Sequence, residues 1–239
     1  MQRLIFSILL FIISGIAFAQ QGRSDSAVVS FLRENFDVRF SGNNSVVFFK
    51  TGQEKFDDLF KAVKQAKKSI HMEYFNFRND SIAFKLFDLL KEKAAEGVEV
   101  RALFDGFGND SNNQPLKKKH IKKLREDGIE IYEFDPVRFP WINHVFTRDH
   151  RKIVVIDGNI AYTGGMNVAD YYINGTEQVG EWRDMHCRIE GGAVSQLQMI
   201  FLKIWNRTTG QDIWGPKYFR AYEPSTFKGL KPDTTLRAT

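Results

Sequence analysis

Two short segments carry residues whose types and spacing could do chemistry. In His150-Arg151-Lys152-Ile153-Val154-Val155-Ile156-Asp157, alternate residues of an extended strand share a face. His150 and Lys152 then project together, about 6–7 Å apart along the strand. An imidazole beside an ammonium suits a phosphate: the lysine neutralises non-bridging oxygens, and the histidine attacks phosphorus or shuttles a proton. Ile153, Val155 and Asp157 fall on the opposite parity. Further on, Gly164-Gly165-Met166-Asn167 pairs two glycines with an amide. Glycine lets a backbone approach a bound anion closely, within reach of exposed N–H groups or the Asn167 side chain. A bare His-x-Lys-x₄-Asp match arises by chance in on the order of one chain in a hundred of this length. The added Gly-Gly-x-Asn at fixed spacing makes chance a poor account of the whole pattern.

These residues need a scaffold, and the hydrophobic pattern supplies one. Val46–Phe49, Ser69–Phe77, Val98–Phe104 and Ile129–Phe134 read as strands. Helices read from the capping pattern Thr51-Gly52-Gln53-Glu54, over Ser81–Ala95, and over Leu116–Asp127. The order is βαβαβαβ, which predicts an α/β fold: a mixed, mostly parallel sheet with helices on both faces. Beyond a Pro- and aromatic-rich loop, strands are expected at His150–Asp157, Asn159–Thr163 and Trp182–Glu190, and a helix at Ala193–Asn206. The lysines at 117, 118, 119, 122 and 123 read first as a solvated helix face, and second as a docking surface for anionic lipid or nucleic acid.

At 239 residues, with 43% hydrophobic and 26% charged, the chain has material for one ordinary core, and neither a disordered nor a polytopic membrane protein fits. The single cysteine, Cys187, excludes an internal disulfide and a cysteine metal cage. A net charge of +5 suits an anionic partner without naming it. Arg3, the apolar stretch from Leu4 to Phe18 and the small-x-small exit at Ala17–Ala19 form a secretory signal pattern. The apolar stretch is short of the roughly 20 residues that span a bilayer, which favours a cleaved signal over an uncleaved anchor. The predicted organisation is a signal peptide at 1–19, a linker with a short helix at 20–44, a domain at 45–207 and a tail at 208–239. The product is expected to be exported, periplasmic or on the outer face of the inner membrane.

The combined pattern His-x-Lys-x₄-Asp-x₆-Gly-Gly-x-Asn resembles the HKD signature of the phospholipase D superfamily, at every fixed position. His71-Met72-Glu73-Tyr74-Phe75-Asn76-Phe77, the segment from Gly97 to Gly106 and Trp182-Arg183-Asp184-Met185-His186 are similar to the first lobe of bacterial cardiolipin synthases. The resemblance implies a single phospholipase D-like lobe acting on an anionic phospholipid such as phosphatidylglycerol at a membrane surface, through a phosphohistidine and with no metal or other cofactor. It implies that His150 is nucleophile or acid, that Lys152 and Asn167 hold phosphate oxygens with Gly164 and Gly165 beside them, and that Asp157 completes the motif. Its strand parity gives Asp157 a structural rather than a contact role. An acid on a later strand, here Asp184, would fix the histidine tautomer. The family pairs two such motifs, and this chain has one full signature: His71, His144 and His186 have no lysine two residues on, and His120, which has Lys122 and then Asp127, lacks the Gly-Gly-x-Asn that should follow. His186 is expected to be a strand residue with a satisfied hydrogen bond. A homodimer or a second lobe would supply the missing histidine. Two alternatives stand beside this reading: a secreted single-motif nuclease acting as a homodimer, and a catalytically incomplete half-enzyme that binds without turnover. The aromatic stretch Phe139-Pro140-Trp141-Ile142 could dip into a membrane interface or cap the core.

Overall fold

The computed structural model describes residues 27–35, 41, 43–137, 146–177 and 180–219. The predicted signal peptide, the 139–142 stretch, His144 and residues 220–239 lie outside these. Met1–Ser41 and Gly42–Thr239 are separate compact units. In the first, residues 27–35 are helical. In the second, seven strands form one sheet: β1 (Ser45–Phe49), β2 (Ser69–Tyr74), β3 (Glu99–Asp105), β4 (Glu130–Phe134), β5 (Ile153–Ile156), β6 (Ile160–Gly164) and β7 (His186–Glu190). Their spatial order is β1-β7-β6-β5-β2-β3-β4.

Strands β2, β3 and β4 pair in parallel, and β5, β6, β7 and β1 continue the sheet by antiparallel pairing. The mixed sheet expected from the pattern is present, but its parallel pairings are confined to the β2–β4 half. β1 does not sit beside β2 as a simple βαβ unit would place it. It closes the far edge against β7, with Phe49 opposite His186. Being an edge strand, it leaves Val46, Val47 and Phe48 exposed.

Helices cover both faces. On one face lie α1 (Gly52–Gln65), α2 (Ser81–Ala95) and α4 (Lys118–Glu126). Phe56, Leu59, Leu86, Leu90, Ile121 and Leu124 from these helices pack on Ile70, Met72, Val100, Ala102, Ile131 and Val154 of the sheet. Thr51 caps α1 by accepting the Glu54 N–H, while the Glu54 carboxylate reaches back to the N–H of Lys50. On the other face, α6 (Ala193–Thr209) lays Phe201, Leu202 and Trp205 against Leu103 and Phe134, and Val194 against Ile153, Val155 and Ala161. Alternating residues of each strand thus feed two different cores. The domain continues past residue 207: Tyr218, in a 3₁₀ turn at Pro216–Tyr218, is buried in the α6 core. Two short helices complete the fold, α3 (Gly106–Asp110) directly after β3 and α5 (Tyr171–Asn174) after β6.

Candidate functional site

Register decides which residues meet. Glu73 pairs with Ile153, Ile153 with Thr163, and Gly164 with His186. The ends of β2 and β6 and the starts of β5 and β7 therefore share one end of the sheet. The C-terminal end of β3 lies there too, because β3 runs parallel to β2. This is the end of an open α/β sheet at which ligands usually bind. His150, Lys152, Gly164, Gly165, Asn167 and Asp184 all belong to it.

The expected strand over His150–Asp157 is shorter than its pattern: β5 begins only at Ile153. The ladder stops where β2 stops, so residues 148–152 have no strand partner and turn to side chains instead. Lys152 bends back to donate to the carbonyl of His150 at 2.6 Å. Both side chains meet the same ring. The His150 imidazole lies edge-on to Phe75 with centroids 4.7 Å apart, and the Lys152 ammonium is 5.3 Å from that ring's centre. His150 is exposed while Lys152 is almost wholly buried.

That burial pulls Lys152 down to about 8, against the opposing carboxylates of Asp149, Asp184 and Asp105. Burial and then the Lys152 charge hold His150 below the ordinary imidazole range, leaving a free base at neutral pH. The carboxylates that counter this shift on His150 are those of Asp105 and Asp149. Asp184 acts on Lys152 instead, and among the described residues no hydrogen bond joins it to His150. Its carboxylate lies against Gly165, where a Cβ would stand 2.1 Å from Oδ1, so this position excludes any side chain. Asp184 Oδ1 also accepts the Met185 N–H at 2.7 Å.

Asn167 is buried and held from two sides. The backbone N–H of Asn76 donates to its Oδ1 at 3.4 Å, and Lys55 donates to its main-chain oxygen at 3.4 Å. With the oxygen turned inward, the amide N–H₂ is the end left for a ligand.

Asp157 is not brought to this site. It follows β5 at the opposite end of the sheet, roughly 20 Å of extended chain from His150. Its backbone is left-handed at φ 53°, and its carboxylate accepts the N–H groups of Lys67, Lys68 and Ser69 at 2.7–3.0 Å. It ties the α1–β2 connection to the β5–β6 turn. The expectation for His186 also needs correction. It lies on β7 and is buried, but neither ring nitrogen has a partner among the described residues. Burial, then Lys55 and Lys152, lowers it to about 2, so it is neutral.

Several site residues are given no role from the sequence, although Glu73 and Asp105 lie inside two of the family-like segments. Asp105 accepts from Arg148 Nη1, the Asp149 N–H and the Gly108 N–H, each at 2.8 Å, and so fastens the His150 segment to β3. Arg151 bridges Glu73 at 2.6 Å and Asp149 at 3.0 Å. Burial and then the Asp149 charge push Glu73 up to about 9. These acids cluster only through strand register, and local spacing carries no signal of it. Among the described residues, no group of three or more His, Cys, Asp or Glu could hold a metal, and no helix is long and apolar enough to cross a membrane.

Comparison with known proteins fits this geometry. A family profile described as cardiolipin synthase, PLD-like domain, matches residues 59–205. A cardiolipin synthase of Halalkalibacterium halodurans is 40% identical over 185 residues, covering 77% of this chain and 36% of that protein. Cardiolipin synthase 2 of Bacillus cereus is 42% identical over 171 residues, 71% of this chain and 32% of that protein. The chain spans about a third of the length of these relatives. Among solved structures, the phospholipase D family member Nuc of Salmonella typhimurium superposes with a TM-score of 0.51 at 18% identity, covering 69% of this chain and 95% of that one. NucT of Helicobacter pylori gives 0.52 at 14% identity, covering 69% and 97%. These two likenesses show the fold.

Proposed function

This chain belongs to the family of cardiolipin synthase, phospholipase D-like domains, and from that premise we propose that it performs phospholipase D-type phosphodiester chemistry on phospholipids, in the manner of a cardiolipin synthase. The observation that carries the proposal is the meeting of His150, Lys152, Asn167 and Asp184 at one end of the sheet. A free-base His150 attacks the phosphorus of a phosphatidyl diester. The new N–P bond forms as the P–O bond to the departing alcohol breaks. A second imidazole, from another copy of the chain or another lobe, gives that alcohol its proton. It then accepts the proton of an incoming alcohol or water, whose oxygen attacks the phosphohistidine and frees His150. Lys152 and the Asn167 amide neutralise the non-bridging oxygens, whose charge grows in the transition state. Phosphatidylglycerol is the proposed lipid, met at the outer face of the inner membrane after export.

The test is purified protein on phosphatidylglycerol vesicles with a chelator present. Cardiolipin and free glycerol are the expected products, and His150→Ala should lower turnover by about a thousandfold or more. Unchanged turnover in that variant would end the catalytic assignment. Nicking of plasmid DNA without action on the lipid would move the chemistry to a nucleic acid.

A further inference from the structure

Lys55 stands where the helix pattern calls for a core residue. It belongs to the buried stripe of α1 with Gly52, Phe56, Leu59, Ala62 and Val63, and has no exposed surface. Its ammonium is 3.7 Å from the centre of the Phe56 ring and 5.2 Å from that of Tyr74. Its hydrogen bond goes to the main-chain oxygen of Asn167. Among the described residues it has no carboxylate partner. The titratable groups around it are Tyr74 of β2, whose hydroxyl is unpartnered, and His186 of β7, whose two ring nitrogens are unpartnered. His186 feels the positive charge of Lys55 and of Lys152 together. Lys55 thus sits behind Asn167, near a neutral imidazole and without a carboxylate of its own among the described residues, whereas Lys152 faces Asp149, Asp184 and Asp105.

An unpaired buried ammonium is costly, and the chain answers such a cost by releasing the proton. Burial does hold Lys55 well below the ordinary lysine range. A methionine would fill the same space without that cost. The arrangement gains from the lysine only when a negative charge arrives nearby, and the Asn167 amide is where the site would receive one.

We infer that Lys55 is a positioning residue for bound phosphate: it clamps the main chain that presents the Asn167 amide, takes up a proton as the anion binds, and supports that anion electrostatically from behind. The inference rests on the phosphodiester reading of the site. Coupling is reciprocal, so each unit by which the anion raises the lysine's pKa returns about a tenfold gain in anion affinity.

Calorimetric titration with inorganic phosphate, in two buffers of different ionisation enthalpy, tests it on the intact chain and on Lys55→Met and Lys152→Met. Lys55→Met should bind phosphate about tenfold more weakly and take up fewer protons per phosphate. Without phosphate it should melt at a higher temperature than the parent. Wild-type affinity and proton uptake in Lys55→Met would overturn the inference and leave the phosphodiester reading standing. A variant that melts lower or does not fold would overturn it too, because Lys55 would then be a core-packing residue. A parent chain that binds no phosphate would bring down both.

Discussion

Lys152 has two demands on one proton. It must be charged to hold an anion, and its burial favours the neutral amine. With the folded-state value at about 8 and the ordinary one at 10.5, the charged fraction in the folded protein falls as pH rises through about 8. Phosphate affinity should fall across the same range, and a bound anion shifts the inflection upward. Stability moves the other way. Between about 8 and 10.5 the unfolded chain holds the Lys152 proton that the folded chain has released, so this group makes stability rise with pH. Both Lys152→Met and Lys152→Arg should flatten the two profiles, Met with phosphate weakly bound throughout and Arg with phosphate still bound at alkaline pH. Urea titrations and phosphate binding from pH 7 to 10 check the pair; parallel rather than opposed profiles would contradict it. His150, Lys152 and Asn167 were legible because their chemistry lies within one short pattern. Lys55 drew no attention in the sequence, and only the fold shows it buried in the apolar stripe of α1 beside the Asn167 carbonyl. Glu73, Asp105 and Asp149 had no local signal, since only strand pairing makes them neighbours.

At the scale of elements, β5 divides the motif's work between its two ends. Its start presents His150 and Lys152; its finish leaves Asp157 to tie down three N–H groups ahead of β2. Parity pointed to that separation, but the partners depended on the β2–β5 register. The capping pattern before α1 and the periodicity of α2 are local, and both helices form where the residues indicated. The early halt of β5 and the edge placement of β1 follow from which strand lies alongside, which no window of residues carries. Removing the Asp157 carboxylate should therefore act on stability. Asp157→Ala loses charge-assisted bonds and a residue tolerant of positive φ, an expected cost of about 2–3 kcal/mol in chemical denaturation. Asp157→Asn, which keeps an acceptor and the left-handed preference, should cost less. Turnover per folded molecule should match the parent in both. A turnover loss as deep as that of His150→Ala, with stability unchanged, would return Asp157 to the chemistry.

For the whole molecule, the decisive quantity is the number of histidines at the reacting phosphorus. The proposed mechanism needs two, and one chain offers His150. A two-fold interface places a residue near its own axis against its copy. The end of the sheet that carries His150 is suited to being covered, since Phe107, Phe146, Trp182 and Met185 expose apolar surface there. A composite site of this kind makes the inactive variant an inhibitor. If both histidines come from copies of this chain, mixing parent with a ninefold excess of His150→Ala leaves about one parent chain in ten paired with another parent. Activity per parent chain should then fall about tenfold once subunits have exchanged, and specific activity should decline on dilution below the dimer's dissociation constant. If the second histidine comes from another lobe, the excess has no effect and the chain alone is inactive until that lobe is added. Full activity in a strictly monomeric chain, unaffected by the mutant excess, would rule out both arrangements and require a single-histidine mechanism.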